Sequence, residues 1–341
     1  MPRVLIVDDS AVARAVIARA VEANGQVAVA GAVPHVNAAL RFLTTARVDA
    51  ILLDLEMPGV DGLTALPDMI AAGCGARVLV ISSACGDGAA ATVRALALGA
   101  ADTLLKPGVG APHARFAELL AAKLDRLTRP DAPIASAVAR VAVPRPSQAS
   151  YDVVAIGAST GGIHALSQLL GALPATFQLP ILITQHLPAS FMPYFAAQVA
   201  VLARRPCEVA TDRLRLRAGR IVIAPGDAHV RCIALPDGTV AIRLSTAPAA
   251  SGCLPSVDPM FESLATAYGP RALAVVLSGM GRDGAEGARC VAEAGGAVVV
   301  QDEASSVIWG MPGAVAAAGH AQAMLPPDEI GRLIASRRRP A

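Results

Sequence analysis

Aromatic residues and net charge are both scarce in this chain. Aromatic side chains make up 3% of the 341 residues, and the formal net charge is only +2. The longest basic run, residues 337–339, lies at the C-terminus, so the composition gives no support for nucleic-acid binding. Hydrophobic residues nevertheless reach 54%, which excludes a disordered chain and supplies enough apolar side chains for two hydrophobic cores.

The chain contains six cysteines but no CxxC pair and no spacing typical of a metal site. They are interpreted as small buried or incidental thiols of a reducing compartment. No apolar run approaches the length of a membrane span, and the N-terminal residues lead directly into a strand pattern rather than a signal peptide. We expect a cytoplasmic protein that is monomeric and has no direct membrane insertion.

The apolar pattern divides the chain into two α/β domains. Residues 1–127 alternate five short apolar runs with amphipathic helical segments, which predicts a doubly wound, flavodoxin-like sheet of five parallel strands. A Pro- and Ala-rich stretch over residues 128–150 has no clear periodicity and is interpreted as a linker. Residues 151–336 carry a second, Rossmann-like α/β pattern with a β-hairpin predicted at residues 235–239, and residues 337–341 form a short tail.

The most informative segment of the second domain is residues 151–162, where an apolar strand pattern ends in Ser159 among small residues. A strand followed by a glycine-containing turn and a helix exposes a serine hydroxyl and leaves backbone N–H groups free to bind an oxyanion. The same type of turn also cradles phosphates. This segment alone therefore leaves both a nucleophile and a phosphate-binding loop open.

Two further strand ends favour the nucleophile. The next apolar run ends at Gln185 and His186, and a later run is followed by a glycine-rich turn that carries Asp283. The C-terminal ends of neighbouring parallel strands share one crevice, so Ser159, His186 and Asp283 can act as nucleophile, base and orienting carboxylate if their strands are neighbours. A dinucleotide site would need an acidic residue where Gln185 and His186 stand, so a hydrolase is favoured. The alternative for His186 is an isolated, hydrogen-bonded surface histidine.

Polar side chains also follow four strand patterns of the first domain. They are Asp8, Asp9, Asp54, Ser82, Ser83 and Lys106. Three carboxylates that converge on one crevice repel one another unless a hard divalent cation such as Mg²⁺ neutralises them. A lysine and a hydroxyl beside them suit the oxygens of a transferred phosphoryl group.

This pattern predicts that Asp54 attacks a phosphodonor and becomes an acyl phosphate. The predicted Mg²⁺ ligands are Asp8, Asp9, Asp54 and the main-chain carbonyl of Glu56. Ser82 and Lys106 are expected to contact the phosphoryl group. The alternative for residues 8–10 is that they only cap the helix after the first strand, but capping explains just one of the four strand ends.

Both domains resemble known families in the motifs that carry these side chains. Residues 8–10, 54–62, 82–83 and 106–107 resemble the receiver domain of response regulators. Later segments resemble, in order, the chemotaxis protein-glutamate methylesterase family, CheB; they are residues 157–162, 185–186, 224–227, 255–258, 279–284 and 309–312. The resemblance covers nearly the whole chain outside the linker and the tail.

The resemblance implies an enzyme that hydrolyses γ-glutamyl methyl esters of chemoreceptors, the methyl-accepting chemotaxis proteins, to glutamate and methanol. It also implies deamidation of receptor glutamines. Ser159 would be the nucleophile, His186 the general base and then the general acid, and Asp283 the residue that orients the histidine. Thr160 and the Met280 N–H are implied as support for the oxyanion.

The resemblance further implies a receiver that covers the active-site mouth until a CheA-type histidine kinase phosphorylates Asp54. Mg²⁺ in the receiver is the only cofactor implied, with none in the esterase domain. Two places depart from the family pattern: residues 251–255 replace a run that is commonly rich in Arg and His, and Thr103 stands where many receivers carry an aromatic residue.

Two alternative functions stay open beside the regulated esterase. One is a non-catalytic receiver or scaffold module, and the other is the same esterase in a chemosensory pathway that does not serve motility. The matched strand ends of Ser159, His186 and Asp283 favour an esterase, because binding alone requires none of the three.

Overall fold

The structure is a computed structural model that describes residues 1–23, 25–82, 87–106, 113–128 and 150–336. The chain divides into two compact units, Met1–Pro130 and Asp131–Ala341. Most of the predicted linker and the whole predicted tail lie outside the described residues. Thr128, predicted as the first linker residue, is instead the last residue of a helix, and its hydroxyl donates to the Leu124 carbonyl at 2.8 Å. No described helix is both long and apolar enough to cross a membrane.

The first unit is built from alternating strands and helices. Its strands are β1 (Arg3–Val7), β2 (Ala28–Val33), β3 (Ala50–Asp54), β4 (Arg77–Ser82) and β5 (Asp102–Leu105). Its helices are α1 (Ala11–Glu22), α2 (Val36–Thr45), α3 (Gly62–Gly73), α4 (Asp87–Leu98) and α5 (His113–Thr128). The strands form a parallel sheet in the order β2-β1-β3-β4-β5, which confirms the predicted flavodoxin-like fold. The inner strands β1, β3 and β4 are buried along almost their whole length, as expected where helices cover both faces of a parallel sheet.

Local contacts fix the strand ends that carry the polar residues of this unit. Ser10 caps α1, because its Oγ accepts a backbone N–H of the first turn at 3.3 Å. Asp61 caps α3 in the same way at 2.7 Å. Gly62 begins α3 so close to β3 that a Cβ at this position would lie 2.3 Å from the Asp54 carbonyl oxygen. A larger residue there would therefore displace the strand end that carries Asp54.

The second unit contains a larger sheet and a separate hairpin. Its strands are β6 (Val153–Ala158), β7 (Ile181–Gln185), β8 (Cys207–Val209), β9 (Ile221–Ile223), β10 (His229–Ala234), β11 (Val240–Ser245), β12 (Ala272–Val276), β13 (Ala297–Gln301) and β14 (Ala323–Leu325). Its helices are α6 (Gly162–Gly171), α7 (Met192–Ala203), α8 (Val257–Tyr268), α9 (Ala285–Glu293), α10 (Gly310–Ala317) and α11 (Pro327–Ser336). Seven strands form a parallel sheet in the order β14-β13-β12-β6-β7-β9-β8. The antiparallel pair β10 and β11 is the predicted hairpin.

The strand order of this second sheet decides where its functional edge lies. β6 stands between β12 and β7 in the middle of the sheet. α8 packs closely over β6, since a Cβ at Gly157 would lie 2.5 Å from Val257 Cγ1. The three strand ends selected from the sequence are therefore direct neighbours in the fold.

Candidate active site

His186 and Asp283 meet at the C-terminal edge of the second sheet. His186 directly follows β7, and Asp283 lies in the turn between β12 and α9. His186 Nε2 is 2.7 Å from Asp283 Oδ2, and the His186 side chain is 17% exposed. Because Nε2 is engaged by the carboxylate, Nδ1 is the ring nitrogen left to exchange a proton with a substrate or a nucleophile.

Ser159 directly follows β6, and its backbone is held by both neighbouring strand ends. Its N–H donates to the Ser278 carbonyl at 3.0 Å, and its own carbonyl accepts from Gln185 Nε2 at 2.9 Å. The turn after β12 touches it directly, since a Cβ at Gly279 would lie 2.8 Å from Ser159 Cβ. Gly161 then takes a φ of 76°, a left-handed conformation that favours glycine, and α6 begins at the next residue.

No hydrogen bond joins Ser159 Oγ to His186 within the described residues. Catalytic hydrogen bonds are often long or poorly aligned before substrate binds, so this does not remove the pair as nucleophile and base. The structure thus brings His186 and Asp283 into direct contact. It places Ser159 on the adjacent strand end without a direct hydrogen bond to either.

Asp283 is 2% exposed, and its carboxylate accepts several hydrogen bonds. Ser256 Oγ donates to Oδ1 at 2.6 Å, and the Val257 N–H donates to Oδ2 at 2.7 Å. Burial opposes ionisation, but the bonds from His186, Ser256 and Val257 outweigh it and lower the pKa of Asp283 to about 2. Asp283 is therefore a fixed negative charge that can stabilise a protonated imidazole.

Burial alone would lower the pKa of His186, because it disfavours the charged ring. The hydrogen bond that the ring donates to Asp283 and the proximity of Cys253 act in the opposite direction and raise the pKa of His186 to about 9. The resting histidine is consequently protonated at neutral pH.

The turns after β6 and β12, which meet beside Ser159, carry groups suited to an oxyanion. The Met280 N–H donates to no protein atom of the described residues, and the Met280 side chain is 36% exposed. Thr160 is half-buried, and its carbonyl accepts from Ser278 Oγ at 2.8 Å. These contacts leave the turns after β6 and β12 little freedom, which is what a preorganised oxyanion site requires.

Buried amide and hydroxyl groups that the sequence analysis did not select as site residues hold these turns in place. Gln301, the last residue of β13, accepts the Ser278 N–H at 2.7 Å and donates to the Ser305 carbonyl at 2.9 Å. Ser256 occupies the N-cap position of α8 but makes no cap bond, because its hydroxyl is used by Asp283. A polar residue that closes an apolar strand, as Gln185 and Gln301 do, is the signal that could have found the amides.

The first unit brings Asp54, Asp8 and Lys106 together at its own sheet edge. Lys106 Nζ is 2.6 Å from Asp54 Oδ2 and 3.2 Å from Asp8 Oδ2. Burial raises the pKa of Asp54 despite the opposing effect of Lys106. Burial disfavours the charged form of Lys106, but the two carboxylates outweigh it and raise its pKa. The cluster therefore combines a buried carboxylate with a cation held beside it.

The same edge fits a hard divalent cation. Asp8, Asp9 and Asp54 each offer one carboxylate oxygen, and these atoms lie within 4.8 Å of one another. Asp8 Oδ2 is buried, and Lys106 Nζ pairs with it at 3.2 Å without the alignment of a hydrogen bond. Glu56 follows two residues after Asp54, and its N–H donates to Asp54 Oδ1 at 3.2 Å, so its main chain borders the same cluster. Clustered carboxylate oxygens are the donor set that Mg²⁺ accepts.

Ser82 and Thr103 form a second polar contact at this edge. Ser82 is 2% exposed, and its Oγ lies 3.4 Å from Thr103 Oγ1. The capping alternative holds for Ser10, which begins α1, but it does not account for Asp8 Oδ2 or Asp54. Ser83 and Pro107, the remaining residues of the predicted motifs, lie outside the described residues.

Comparison with known proteins identifies the family to which these two units are similar. Residues 154–334 match the CheB methylesterase family, and residues 4–111 match the response regulator receiver domain. The chain is 43% identical to the protein-glutamate methylesterase/protein-glutamine glutaminase 2 of Caulobacter vibrioides, with 99% of each chain covered. It is 40% identical to the protein-glutamate methylesterase/protein-glutamine glutaminase 1 of Paramagnetospirillum magneticum, with 96% of this chain and 94% of that protein covered.

A solved structure supports the fold of the second unit. The crystal structure of the Thermotoga maritima CheB methylesterase catalytic domain superposes with a TM-score of 0.53 at 33% identity. The match covers 55% of this chain and 99% of that domain. The similarity thus extends over a complete catalytic domain.

Proposed function

This chain belongs to the CheB methylesterase family, and from that premise we propose that Ser159, His186 and Asp283 are the catalytic triad of a receiver-regulated protein-glutamate methylesterase. The enzyme hydrolyses γ-glutamyl methyl esters of chemoreceptors to glutamate and methanol, and it also deamidates receptor glutamines. The observation that carries the proposal is the 2.7 Å contact between His186 Nε2 and Asp283 Oδ2 on strand ends that flank the one bearing Ser159.

The reaction follows from these positions. Neutral His186 takes the proton of Ser159 Oγ as the oxygen attacks the ester carbonyl, and Asp283 stabilises the imidazolium that forms. The Met280 N–H and Thr160 support the negative oxygen of the tetrahedral intermediate. His186 then returns the proton to the departing methoxide, which leaves as methanol, and water hydrolyses the acyl-serine by the same steps.

We propose that phosphorylation of Asp54 regulates the hydrolysis. A histidine kinase of the CheA type is the proposed phosphodonor, and Lys106 and Ser82 contact the phosphoryl oxygens. Asp8, Asp9, Asp54 and the Glu56 main-chain carbonyl would hold Mg²⁺, and the ion would neutralise phosphoryl charge. A protein with these partners would act in the cytoplasm.

Asp54→Asn should remove the response to phosphodonor. The test measures methanol release from methylated receptor fragments with Mg²⁺, with and without a small-molecule phosphodonor. We expect activation of at least about fivefold in the wild type and none in the variant, since coupling between sites is commonly of this size or larger. Asp68→Asn, an exposed acidic residue of α3, is the matched control and should respond like the wild type.

Two results would count against the proposal. Activation that persists in Asp54→Asn would mean that phosphorylation of Asp54 does not regulate hydrolysis. No methanol release from the wild type under any condition, with receptor binding retained, would favour the scaffold alternative.

The pH dependence of hydrolysis should follow the raised pKa of His186. Only the neutral ring can accept the Ser159 proton, so kcat/KM rises as His186 deprotonates and the protonated form is inactive. With a pKa of about 9, we expect kcat/KM to rise about tenfold per pH unit between pH 6 and 8 and to level off near pH 9. Rates are measured in the presence of EDTA and without phosphodonor, so that Asp54 is not phosphorylated. A profile that is flat from pH 6 to 8 would contradict the assignment of His186 as the base.

A further inference from the structure

A thiol stands beside the proposed general base. Cys253 lies between β11 and α8 and is half-buried. Its Sγ, one ring nitrogen of His186 and one carboxylate oxygen of Asp283 all lie within 4.8 Å of one another. The catalytic scheme uses His186 and Asp283 but has no role for this sulfur.

The three donor atoms are of the types that bind zinc. Thiolate sulfur, imidazole nitrogen and carboxylate oxygen are all zinc ligands, and three such protein ligands leave a fourth position for water. Tetrahedral geometry at zinc–ligand distances of 2.0–2.3 Å puts the donor atoms about 3.4 Å apart. Side-chain rotations can bring atoms within 4.8 Å to that separation. Mg²⁺ prefers oxygen ligands, so this site and the acidic cluster around Asp54 select different cations.

Cys253 is tied to the catalytic carboxylate through two serines. The Cys253 N–H donates to Ser251 Oγ at 3.3 Å, and Ser251 Oγ is 3.1 Å from Ser256 Oγ. Ser256 in turn donates to Asp283. The backbone of Cys253 is therefore held near the pair by a chain of hydrogen bonds, so that only the side-chain rotamer of Cys253 remains to be ordered around an ion.

We propose that Cys253, His186 and Asp283 form a binding site for a thiophilic divalent cation of the zinc type, and that the bound ion inhibits hydrolysis. The ion takes the lone pair of the imidazole, so His186 cannot accept the Ser159 proton while the ion is bound. The metal site stands on the geometry alone. Its inhibitory effect rests on the proposed esterase function.

Cobalt substitution tests the site without reference to activity. Co²⁺ is titrated into the reduced full-length protein in excess Mg²⁺, which saturates the acidic cluster, and thiolate-to-cobalt charge transfer is followed in the near ultraviolet. We expect a band that saturates at one equivalent, disappears on addition of Zn²⁺ and is absent in Cys253→Ser. Cys290→Ser, a partly exposed cysteine of α9, is the matched control and should keep the band. No band in the wild type, or the same band in Cys253→Ser, would overturn the site.

Methanol release tests the inhibition on the same proteins. Each rate with Zn²⁺ is divided by that protein's own rate in zinc-free buffer. Since a ligated imidazole is not a base, we expect saturating Zn²⁺ to lower the ratio at least about tenfold in the wild type and in Cys290→Ser, with recovery on EDTA. In Cys253→Ser the ratio should change less than about twofold at the same free Zn²⁺.

The two measurements separate the failure of this inference from that of the esterase proposal. A cobalt band together with zinc-insensitive hydrolysis would overturn the inhibition. Absence of hydrolysis in zinc-free buffer would contradict the esterase, whereas the cobalt spectra would still decide whether Cys253 binds the ion.

Discussion

Ser159→Ala should abolish methanol release, with kcat reduced about 10⁴-fold or more, because alanine has no hydroxyl to attack the ester carbonyl. The residual rate reflects only substrate binding and the oxyanion donors. The measurement is single-turnover and steady-state methanol release from methylated receptor fragments, with phosphodonor and Mg²⁺ present. The same protein should accept phosphoryl groups at Asp54 as the wild type does.

The structure indicates that this substitution leaves the fold intact. The hydrogen bonds that hold residue 159 come from its backbone N–H and carbonyl, and alanine keeps both. Alanine also keeps the Cβ that faces Gly279. The matched control is Ser167→Ala on α6, whose hydroxyl donates to the His164 carbonyl of the same helix at 2.7 Å. Its rate should stay within about twofold of the wild type, as is usual for substitutions away from a site.

One outcome would contradict Ser159 as the nucleophile, and another would show that the substitution damages the structure. Substantial hydrolysis by Ser159→Ala would mean that another group attacks the ester. Equal loss in Ser159→Ala and Ser167→Ala would point to damage to α6 rather than to a missing hydroxyl, and thermal unfolding of both variants would show it.

The fold was predictable because its signals are local. Buried apolar runs of strand length alternate with amphipathic segments through both domains, and five of them became β1 to β5. The positions of Ser159, His186 and Asp283 after apolar runs were equally visible. What the sequence could not supply was the adjacency of β12, β6 and β7, because β12 lies more than a hundred residues after β6 and the strand order depends on how the whole sheet is wound.

The polar groups that hold the catalytic residues in place were harder to predict, because tertiary packing determines which polar residues become buried and what they contact. His229 illustrates this: its Nδ1 accepts the Ser256 N–H at 2.9 Å, and Ser256 then donates to Asp283, yet all three lie far apart in sequence. Cys253 is a similar case. Its spacing from the other cysteines indicated an incidental thiol, whereas its position in the fold is beside His186. Spacing rules detect metal sites only when the ligands are close in the chain.

Asp283→Asn should lower kcat about 10³-fold, with KM changed much less, because the charge of Asp283 acts on the imidazolium that forms in the transition state. Asparagine matches the carboxylate in size and can keep one oxygen toward His186 Nε2 and the Val257 N–H. Its amide group then faces Ser256 Oγ, which can rotate to accept. The histidine tautomer survives in this arrangement, but the negative charge does not.

The pH profile distinguishes loss of this charge from a loss of structure. Asp283 raises the pKa of His186, so its removal should move the midpoint of kcat/KM well below the wild-type value of about 9. Asp328→Asn is the matched control, because Asp328 lies partly exposed in the first turn of α11, where its carboxylate pairs with Arg332 at 2.8 Å. Its midpoint should stay at the wild-type value. A midpoint unchanged in Asp283→Asn would mean that the carboxylate does not set the basicity of His186, and its role would then be limited to holding Ser256 and the start of α8.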